Sequence, residues 1–473
     1  MKKRLISLLL ISAVSVFLFA GCGNSEEEDV IVLRVSNWEE YIDEGDWGED
    51  EVIDLEEISI CSDTGVVEDF ENWYYETYGK EVVVEYSTFG TNEELYNQIT
   101  MGDTYDLVCP SEYMIMKMMS ENMLEPFSMK FFDESVEENY YVKGVSPYIS
   151  GVFDDLSIGG EQLSKYAAGY MWGTLGIVYN PEVISEEEAS HWDLLLSEDY
   201  SKRITIKDSV RDAFFAGISI YNYDIIMDEA FTCSDSYHED LTTMLNSTDE
   251  VSVDAVEEIL SRIKDNVYSF ETDSGKADMV TGKVVANQQW SGDAVYTLDQ
   301  ADEDGVTLCY AAPDEATNLW FDGWCMLKNG IGTDADKKHA AEAFINFVSM
   351  PENAVRNMYY IGYTSVISGG EDDTVFQYAD WCYGADEEEA AEAGETLVEY
   401  PIDYFFTGSE EETGDYTILT YEEQLTRQLF AQYPTKDVVD RSVVMAYFDK
   451  EGNERINRMW TNVRCFDLSS LWR

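Results

Sequence analysis

Short apolar runs and segments with helical spacing alternate along the first third of the chain. Val67, Phe70, Tyr74 and Tyr78 recur three to four residues apart, which is the spacing of one face of a helix. Apolar, β-branched runs that are typical of buried strands flank this segment on both sides. The alternation gives the following order of predicted elements: strand 30–35, helix 66–79, strand 82–86, helix 91–101, strand 105–108 and helix 112–122. Strands that alternate with helices predict an α/β layer fold with a largely parallel sheet.

A second α/β segment begins near Gly173. Its predicted elements are a strand that ends at 178–181, strand 203–206, helix 211–220, strand 283–289 and helix 334–350. Two stretches interrupt the pattern, at about 44–63 and at 369–416, and the second carries the acidic runs 387–389 and 410–412. We expect both stretches to be surface insertions.

The composition indicates a globular protein with an extreme charge. The chain is 45% hydrophobic, and its formal net charge is −67. So negative a chain is a poor partner for nucleic acid or for an anionic surface. The charge permits a cationic ligand, although a solvated acidic surface accounts for most of the carboxylates.

The N-terminus has the features of an export signal. Lys2, Lys3 and Arg4 precede an apolar run from Leu5 to Ala20, which ends in small residues before Cys22. We therefore expect a signal peptide over 1–21, a lipid anchor on Cys22 and an acidic tether over 22–29. A lipobox usually has Leu where this chain has Phe19, so plain signal cleavage is the alternative. The predicted location is the outer face of the cytoplasmic membrane or the periplasm, with no membrane contact except the anchor.

The sequence contains no recognisable catalytic or metal-binding motif. The seven cysteines that follow Cys22 form no C-x-x-C pair, and the three histidines are far apart, so neither a disulfide framework nor a zinc site is predicted. The sequence has no P-loop, no G-x-G-x-x-G, no G-x-S-x-G and no H-E-x-x-H. We expect no metal, no cofactor and no enzymatic activity.

Aromatic and acidic residues recur together where predicted strands end. The motifs, in chain order, are N-W-E-E-Y-I at 37–42, D-L-V-C-P-S-E-Y at 106–113, H-W-D-L-L at 191–195 followed by D-S-V-R-D at 208–212, W-S-G at 290–292 followed by W-F-D-G-W at 320–324, and I-G-Y-T-S at 361–365. In this order and spacing the chain resembles the spermidine/putrescine-binding proteins of polyamine ABC importers. The resemblance spans about residues 30–365 and resumes more weakly from Tyr433 to Arg464.

The resemblance implies a two-lobed periplasmic-binding-protein fold, type II-like, whose strands cross a hinge. Lobe 1 would comprise 30–173 and 323–366, and lobe 2 would comprise 174–322 and about 430–473. Crossings are expected near 173–174, near 323–324 and after Tyr363. By position, the ligand-binding residues would be Trp38, Glu40, Tyr41, Ser111 and Tyr113 from the first lobe, Asp212, Trp290, Trp320 and Asp322 from the second, and Tyr363 near the hinge. Ser209 departs from the family, which has an aspartate there.

Carboxylates beside aromatic rings suit a polyamine, because each ammonium requires a counter-charge and the methylenes require apolar walls. The resemblance implies a polyamine ligand, spermidine or putrescine, the permease subunits of an ABC importer as partners, and a monomer. Two alternatives stay open: a solute-binding protein for another cationic solute or a sugar, and a secreted glycoside hydrolase with two carboxylates.

Overall fold

The computed structural model describes residues 30–48, 51–56, 58–409 and 413–465. The predicted signal peptide, Cys22, the tether over 22–29 and the acidic run 410–412 lie outside the described residues.

Strands and helices alternate along most of the chain. The strands are β1 (Ile31–Trp38), β2 (Ile53–Asp54), β3 (Ser59–Ile60), β4 (Val82–Phe89), β5 (Leu107–Val108), β6 (Leu124–Glu125), β7 (Ser157–Ile158), β8 (Glu161–Gln162), β9 (Ala167–Tyr179), β10 (Ile204–Lys207), β11 (Ser269–Glu271), β12 (Ala286–Trp290), β13 (Cys309–Ala311), β14 (Thr317–Leu327), β15 (Thr364–Ser365), β16 (Leu397–Pro401), β17 (Thr417–Tyr421) and β18 (Ser442–Val443).

The α-helices are α1 (Val66–Tyr78), α2 (Asn92–Met101), α3 (Glu112–Ser120), α4 (Tyr140–Gly144), α5 (Pro147–Asp155), α6 (Glu186–Ala189), α7 (Val210–Tyr221), α8 (Tyr223–Ile226), α9 (Glu229–Thr232), α10 (Tyr237–Leu245), α11 (Glu250–Asn266), α12 (Gly275–Val280), α13 (Ser291–Glu303), α14 (Lys328–Ile331), α15 (Ala335–Val348), α16 (Pro351–Ile361), α17 (Thr374–Tyr383), α18 (Glu387–Ala393), α19 (Asp403–Thr407), α20 (Gln428–Gln432), α21 (Lys436–Asp440) and α22 (Lys450–Arg464). Short 3₁₀ turns lie at Leu163–Lys165, Trp192–Leu196, Glu198–Tyr200 and Glu422–Thr426.

The elements predicted from periodicity are confirmed, with ends that differ by a few residues. Helix α1 ends at Gly79, whose φ of 67° is a left-handed conformation that glycine adopts without strain. Thr91 caps α2 by accepting a hydrogen bond from the Glu94 amide at 3.1 Å. The carboxylate of Glu94, however, accepts from the amide of Gly90 rather than from Thr91.

One large mixed sheet runs through the protein in the order β11-β10-β12-β9-β14-β5-β1-β4. Its two ends are parallel, since β1 pairs in parallel with β4 and β5, and β10 pairs in parallel with β11 and β12. The centre is antiparallel, because β9 pairs antiparallel with β14 and with β12. The prediction of a largely parallel sheet is therefore wrong at the centre.

Strands β9 and β14 connect two hydrophobic cores. Every residue of both strands is buried, the pattern of strands that are covered on both faces. One core draws on residues 31–172 and 319–439, and the other on 175–316 and 443–463. A smaller cluster that includes Val178 and Ala431 adjoins the second core. The protein thus has two lobes, and two long strands pass between them.

The residues that make up the two cores indicate where each lobe begins and ends. We propose that lobe 1 begins again at about Leu319 on β14 rather than at 323, because Trp320 and Phe321 pack in the first core. After Tyr363 most of the chain returns to the first core, although Ala431 of α20 packs in the smaller cluster beside α13, and the chain enters the second core only between Val439 and Val443. There β18 pairs with the start of β14.

The two predicted insertions are not confined to the surface. Ile53 and Ile60 of the first insertion are buried in the core of lobe 1. In the second, Phe405 stacks on Trp172 of β9 with ring centroids 5.5 Å apart. Both segments therefore contribute apolar side chains to lobe 1. No helix in the described part of the chain is long and apolar enough to cross a membrane.

Candidate functional site

A buried carboxylate, that of Asp322, lies where β14 passes between the lobes. The register of β14 against β9 shifts between Asp322 and Gly323, an irregularity of the kind that redirects a side chain. An isolated bridge joins Asp322 to Ser111, which follows β5 and precedes α3. The side chain is thus placed at the end of a lobe 1 strand, and the residue is only 6% exposed.

Neutral donors surround this carboxylate. The hydroxyls of Tyr41 and Ser111 each donate to it at 2.7 Å. Burial raises the pKa of Asp322 to about 6, although the hydroxyl donors oppose this rise. The buried indole N–H of Trp38 also opposes the rise, although it lies outside standard hydrogen-bond geometry. Asp322 forms no ion pair with a described residue, so its negative charge is solvated by neutral dipoles alone.

Aromatic rings enclose the carboxylate. The ring of Tyr41 lies edge-on to that of Tyr363, with centroids 5.4 Å apart, and to that of Tyr170, with centroids 5.6 Å apart. Trp320 lies 5.5 Å from Tyr363 and anchors its indole N–H on the carbonyl of Thr174. These rings form an apolar wall on the lobe 1 side of the site.

The lobes meet closely at two glycines. A Cβ on Gly292 would lie 1.9 Å from the ring of Tyr363, so only glycine fits at this position of the W-S-G motif. A Cβ on Gly173, where β9 leaves lobe 1, would lie 2.2 Å from the hydroxyl oxygen of Ser291 in lobe 2. The fourth and fifth sequence motifs therefore touch each other across the cleft. The Tyr363 hydroxyl completes the contact by donating to Asp293 of α13 at 3.0 Å.

The wall from lobe 2 contains Asp212 and Trp290. The indole N–H of Trp290 donates to Asp212 at 3.3 Å. Burial raises the pKa of Asp212, and hydrogen bonds from Ser209 and Trp290 counteract the rise. Ser209 itself is the N-cap of α7, so the residue that departs from the family pattern has a structural role here. The adjacent Asp208 faces elsewhere and pairs with Arg464 at 2.7 Å.

A lysine is also buried against Trp290. The Lys207 Nζ lies 4.6 Å from the centroid of the Trp290 ring and 3.0 Å from a carboxylate oxygen of Asp293. Lys276 approaches the same carboxylate at 3.5 Å. Burial alone would raise the pKa of Asp293, but the two ammonium groups hold it below its ordinary value.

Ser111 and Tyr113 belong to a hydrogen-bond network at the start of α3. The Asn92 amide donates to both hydroxyls, at 3.1 Å and 3.0 Å, and its oxygen accepts from the Ser111 amide. The Arg211 guanidinium of lobe 2 lies 4.6 Å from the centroid of the Tyr113 ring. The network therefore positions Ser111 toward Asp322 and ends in a second contact between the lobes.

A further acid, Glu112, is buried between these groups. Burial, together with the nearby charge of Asp322, raises the pKa of Glu112 to about 8. Burial thus favours the protonated form of this carboxyl. The group adds a second buried carboxyl group beside Asp322.

The structure brings nine of the ten predicted ligand-binding residues into this region. Asp322 is one of them, and five more lie around it or in direct contact with its partners: Trp38, Tyr41, Ser111, Trp320 and Tyr363. Tyr113 lies at the Arg211 contact, and Asp212 and Trp290 line the lobe 2 side. Glu40 is the exception, because it is exposed to solvent on a turn with a left-handed φ of 54°.

Sequence reasoning missed several residues of the site. Lys207, Asp293 and Asn92 are buried and contact the predicted residues. Two signals were available, since Asp293 directly follows the W-S-G motif and Asn92 lies within the capping sequence of α2. Lys207 is 86 residues from its partner Asp293, and nothing local marks the pair.

The groups of the site can hold a cation but resemble no metal centre. In the ranges that the structure describes, no three His, Cys, Asp or Glu side chains are placed to bind one metal ion. A buried carboxylate that hydroxyls solvate, with aromatic faces around it, can accept an organic cation and bury its apolar parts.

Comparison with known proteins finds several bacterial binding proteins that are similar to this chain. The spermidine/putrescine-binding periplasmic protein of Salmonella typhimurium is 26% identical over 285 residues, which are 60% of this chain and 70% of that protein. The protein of the same name from Escherichia coli is 24% identical over 365 residues, 77% of this chain and 84% of that protein. The putrescine-binding periplasmic protein SpuD of Pseudomonas aeruginosa is 24% identical over 363 residues, 74% of this chain and 80% of that protein.

Solved structures share the fold. The spermidine/putrescine ABC transporter substrate-binding protein PotD from Streptococcus pneumoniae superposes with a TM-score of 0.56 at 24% identity and covers 92% of this chain and 98% of its own. A putative spermidine/putrescine ABC transporter from Listeria monocytogenes gives a TM-score of 0.59 at 21% identity over 92% and 99%. A family model described as bacterial extracellular solute-binding protein matches residues 66–381. The chain therefore belongs to the family of bacterial extracellular solute-binding proteins.

Proposed function

We propose that this protein captures a polyamine between its two lobes and delivers it to an ABC importer. The observation that carries the proposal is the Asp322 carboxylate, which is buried, receives hydrogen bonds from Tyr41 and Ser111, and has no ion-pair partner among the described residues. Such a carboxylate has hydrogen-bond donors but no counter-charge, and a ligand cation would supply one.

The electrostatics favour an ammonium ligand over a neutral one. An ionised carboxylate is costly to bury unless a counter-charge replaces the lost hydration. The raised pKa of Asp322 reflects this cost in the protein alone. A ligand ammonium would supply the counter-charge, whereas a sugar hydroxyl would add only another neutral dipole to the two already present.

The aromatic walls suit the rest of such a ligand. The rings of Trp320, Tyr363 and Tyr41 offer apolar surface for methylenes, each worth about 0.8 kcal/mol when buried. An ammonium near an aromatic face gains a further ~0.5–2 kcal/mol. The names of the relatives point to the same ligands, spermidine and putrescine.

The remaining parts of the proposal concern the setting of the protein. We propose that it acts without catalysis, as a monomer, outside the cytoplasmic membrane, and that the permease subunits of the importer receive its ligand. The anchor is proposed to be a lipid on Cys22. Replacing Cys22 with Ala should release the protein into the medium, and unchanged membrane retention would count against the anchor.

A ligand panel tests the proposal. The soluble chain, without Cys22, is heated with putrescine, cadaverine, spermidine, maltose or no ligand, and its melting temperature is followed. A ligand that binds only the folded state raises the melting temperature in proportion to its affinity and concentration. Polyamines should raise it and the sugar should not. A shift with sugar alone, or with no compound, would contradict the proposal.

A further inference from the structure

The aspartates of the cleft differ in whether a lysine already pairs with them, and this difference bears on the number of ammonium groups that the ligand carries. Asp322 and Asp212 are buried and form no direct ion pair with any described residue; their side-chain partners are hydroxyls and an indole N–H, although the charges of Lys207 and Arg211 act on Asp212 from a longer distance. Asp293 also contacts the proposed ligand wall, since it accepts a hydrogen bond from Tyr363, but it already pairs with Lys207 at 3.0 Å.

We propose that Lys207 acts as a built-in ammonium that makes this site selective for diamines over triamines. The inference rests on the proposed function, because it concerns the same site and refines its ligand. Two carboxylates without a direct ion-pair partner match two ligand ammonium groups. A third ammonium directed to Asp293 would meet a carboxylate that already pairs with a lysine, and it would approach that fixed positive charge.

The position of Lys207 supports this role. The residue is 1% exposed, and its Nζ lies 4.6 Å from the centroid of the Trp290 ring. A cation bound over an aromatic ring at this distance occupies that face. Lys207 thus holds both of the features that a ligand ammonium would use there, namely one face of Trp290 and the carboxylate of Asp293.

The surroundings of Lys207 fix it in place. Its Nζ donates to the carbonyl of Thr272 at 3.1 Å, and Glu271 lies 3.9 Å away. Lys276 adds a second positive charge at 3.5 Å from Asp293. A ligand ammonium would therefore have to displace a buried, hydrogen-bonded lysine, whereas Asp322 and Asp212 need no such displacement.

The test is isothermal titration of the soluble chain with putrescine and with spermidine. The wild-type protein should bind putrescine at least about tenfold more tightly than spermidine. Equal or tighter binding of spermidine would overturn the inference and leave the proposed function standing. Failure to bind any polyamine would instead overturn the proposed function, and this inference with it.

Substitution of Lys207 tests whether this residue sets the preference for putrescine over spermidine. In Lys207→Met the preference for putrescine should fall at least about tenfold, because Asp293 loses its buried counter-cation and can accept a third ammonium. The double variant Lys207→Met/Asp293→Asn removes both charges, so it leaves no unpaired carboxylate buried in the fold. It should also show a reduced preference for putrescine.

Lys283→Met is the matched control. Lys283 also pairs with an aspartate, Asp278, at 3.0 Å and lies 4.4 Å from the centroid of an aromatic ring, but it is on the surface of the protein. This variant should keep the wild-type preference. An unchanged preference in both Lys207 variants as well would show that Lys207 does not set the selectivity and would overturn the inference.

Discussion

Two buried aspartates of the cleft, Asp322 and Asp293, have similar surroundings and opposite electrostatics. Each accepts a hydrogen bond from a tyrosine hydroxyl, Tyr41 at 2.7 Å and Tyr363 at 3.0 Å. Only Asp293 has ammonium groups beside it. The pKa of Asp322 is accordingly raised to about 6, whereas that of Asp293 is lowered despite its burial.

The difference separates a structural carboxylate from a binding one. A carboxylate that the protein neutralises itself stabilises the fold and has little left to offer a cationic ligand. A carboxylate that neutral dipoles alone solvate is costly to the free protein and gains most when a cation arrives. The comparison predicts that removing the charge of Asp293 lowers the stability of the fold, whereas removing the charge of Asp322 lowers the affinity for the ligand.

The largest expected effect is on stability and follows from Asp293→Asn. This change leaves Lys207 buried with its nearest remaining carboxylate, that of Glu271, at 3.9 Å. Breaking a buried ion pair typically costs about 3–5 kcal/mol, which urea unfolding of the ligand-free protein should measure. Asp322→Asn should not destabilise the ligand-free protein at neutral pH, because no buried cation loses its partner and the variant removes a charge that is costly to bury.

The control for this experiment is an exposed pair. Lys165 and Glu161 are 3.0 Å apart with both side chains about half exposed, and Glu161→Gln should cost under about 1 kcal/mol. Equal destabilisation by Asp293→Asn and Asp322→Asn would break the comparison.

A smaller effect is expected from pH. A ligand ammonium pairs with ionised Asp322, whose pKa in the free protein is raised to about 6. Affinity should therefore be constant above pH 7 and fall as pH drops below 6, to roughly a tenth of its neutral value at pH 5. Titration calorimetry from pH 5 to pH 8 measures this. The Asp322→Asn variant should show a flatter profile, and an equally steep one would assign the effect to another group.

The stability of the ligand-free protein should depend on pH in the opposite direction to the affinity. The pKa of Asp322 is higher in the folded chain than its unfolded value of about 3.9. The group therefore favours the folded state below about pH 4, and this contribution is lost as pH rises through 6. Wild-type protein minus Asp322→Asn should show this trend in urea unfolding, and a difference that increases with pH would contradict it.

The smallest effect is expected from Tyr41→Phe. The variant keeps the ring but removes one hydrogen bond to Asp322, an interaction that holds the pKa of the carboxyl down. The pH at which binding is half lost should move upward from about 6, with a few-fold loss of affinity at neutral pH, of the order of 1 kcal/mol. A downward shift of this midpoint would show that the hydroxyl does not stabilise the charged carboxylate.

The sequence predicted the elements whose signal is local. Helix α1 and strands β1 and β4 follow from apolar periodicity, and glycine at 79 marks the end of α1. The antiparallel centre of the sheet could not be predicted, because β9 and β14 are far apart in sequence. Their long runs of buried residues form one continuous connection only when both lobes have folded.

Local sequence patterns pointed to Asp322 but not to the Lys207–Asp293 pair. Asp322 stands two residues after Trp320, and that proximity was informative. Glu40 stands two residues after Trp38, yet a turn with a φ of 54° leaves it exposed. Residues two positions apart therefore face the same site only if the backbone between them stays extended. The Lys207–Asp293 pair is formed by tertiary packing and leaves no local pattern.

The most direct test of the central claim is the affinity of Asp322→Asn for putrescine, measured by titration calorimetry beside Glu387→Gln. The asparagine keeps the shape of the side chain but removes its charge, and truncating a buried charge pair costs about 2–5 kcal/mol, or roughly 30-fold to several-thousand-fold in Kd. Glu387 is exposed at the start of α18 in the acidic insertion, so its change should cost under about 1 kcal/mol. A large loss for Asp322→Asn with near-wild-type binding for Glu387→Gln is the predicted result. Equal and slight losses in both variants would mean that diffuse negative charge holds the ligand, and would contradict the claim that Asp322 binds its ammonium.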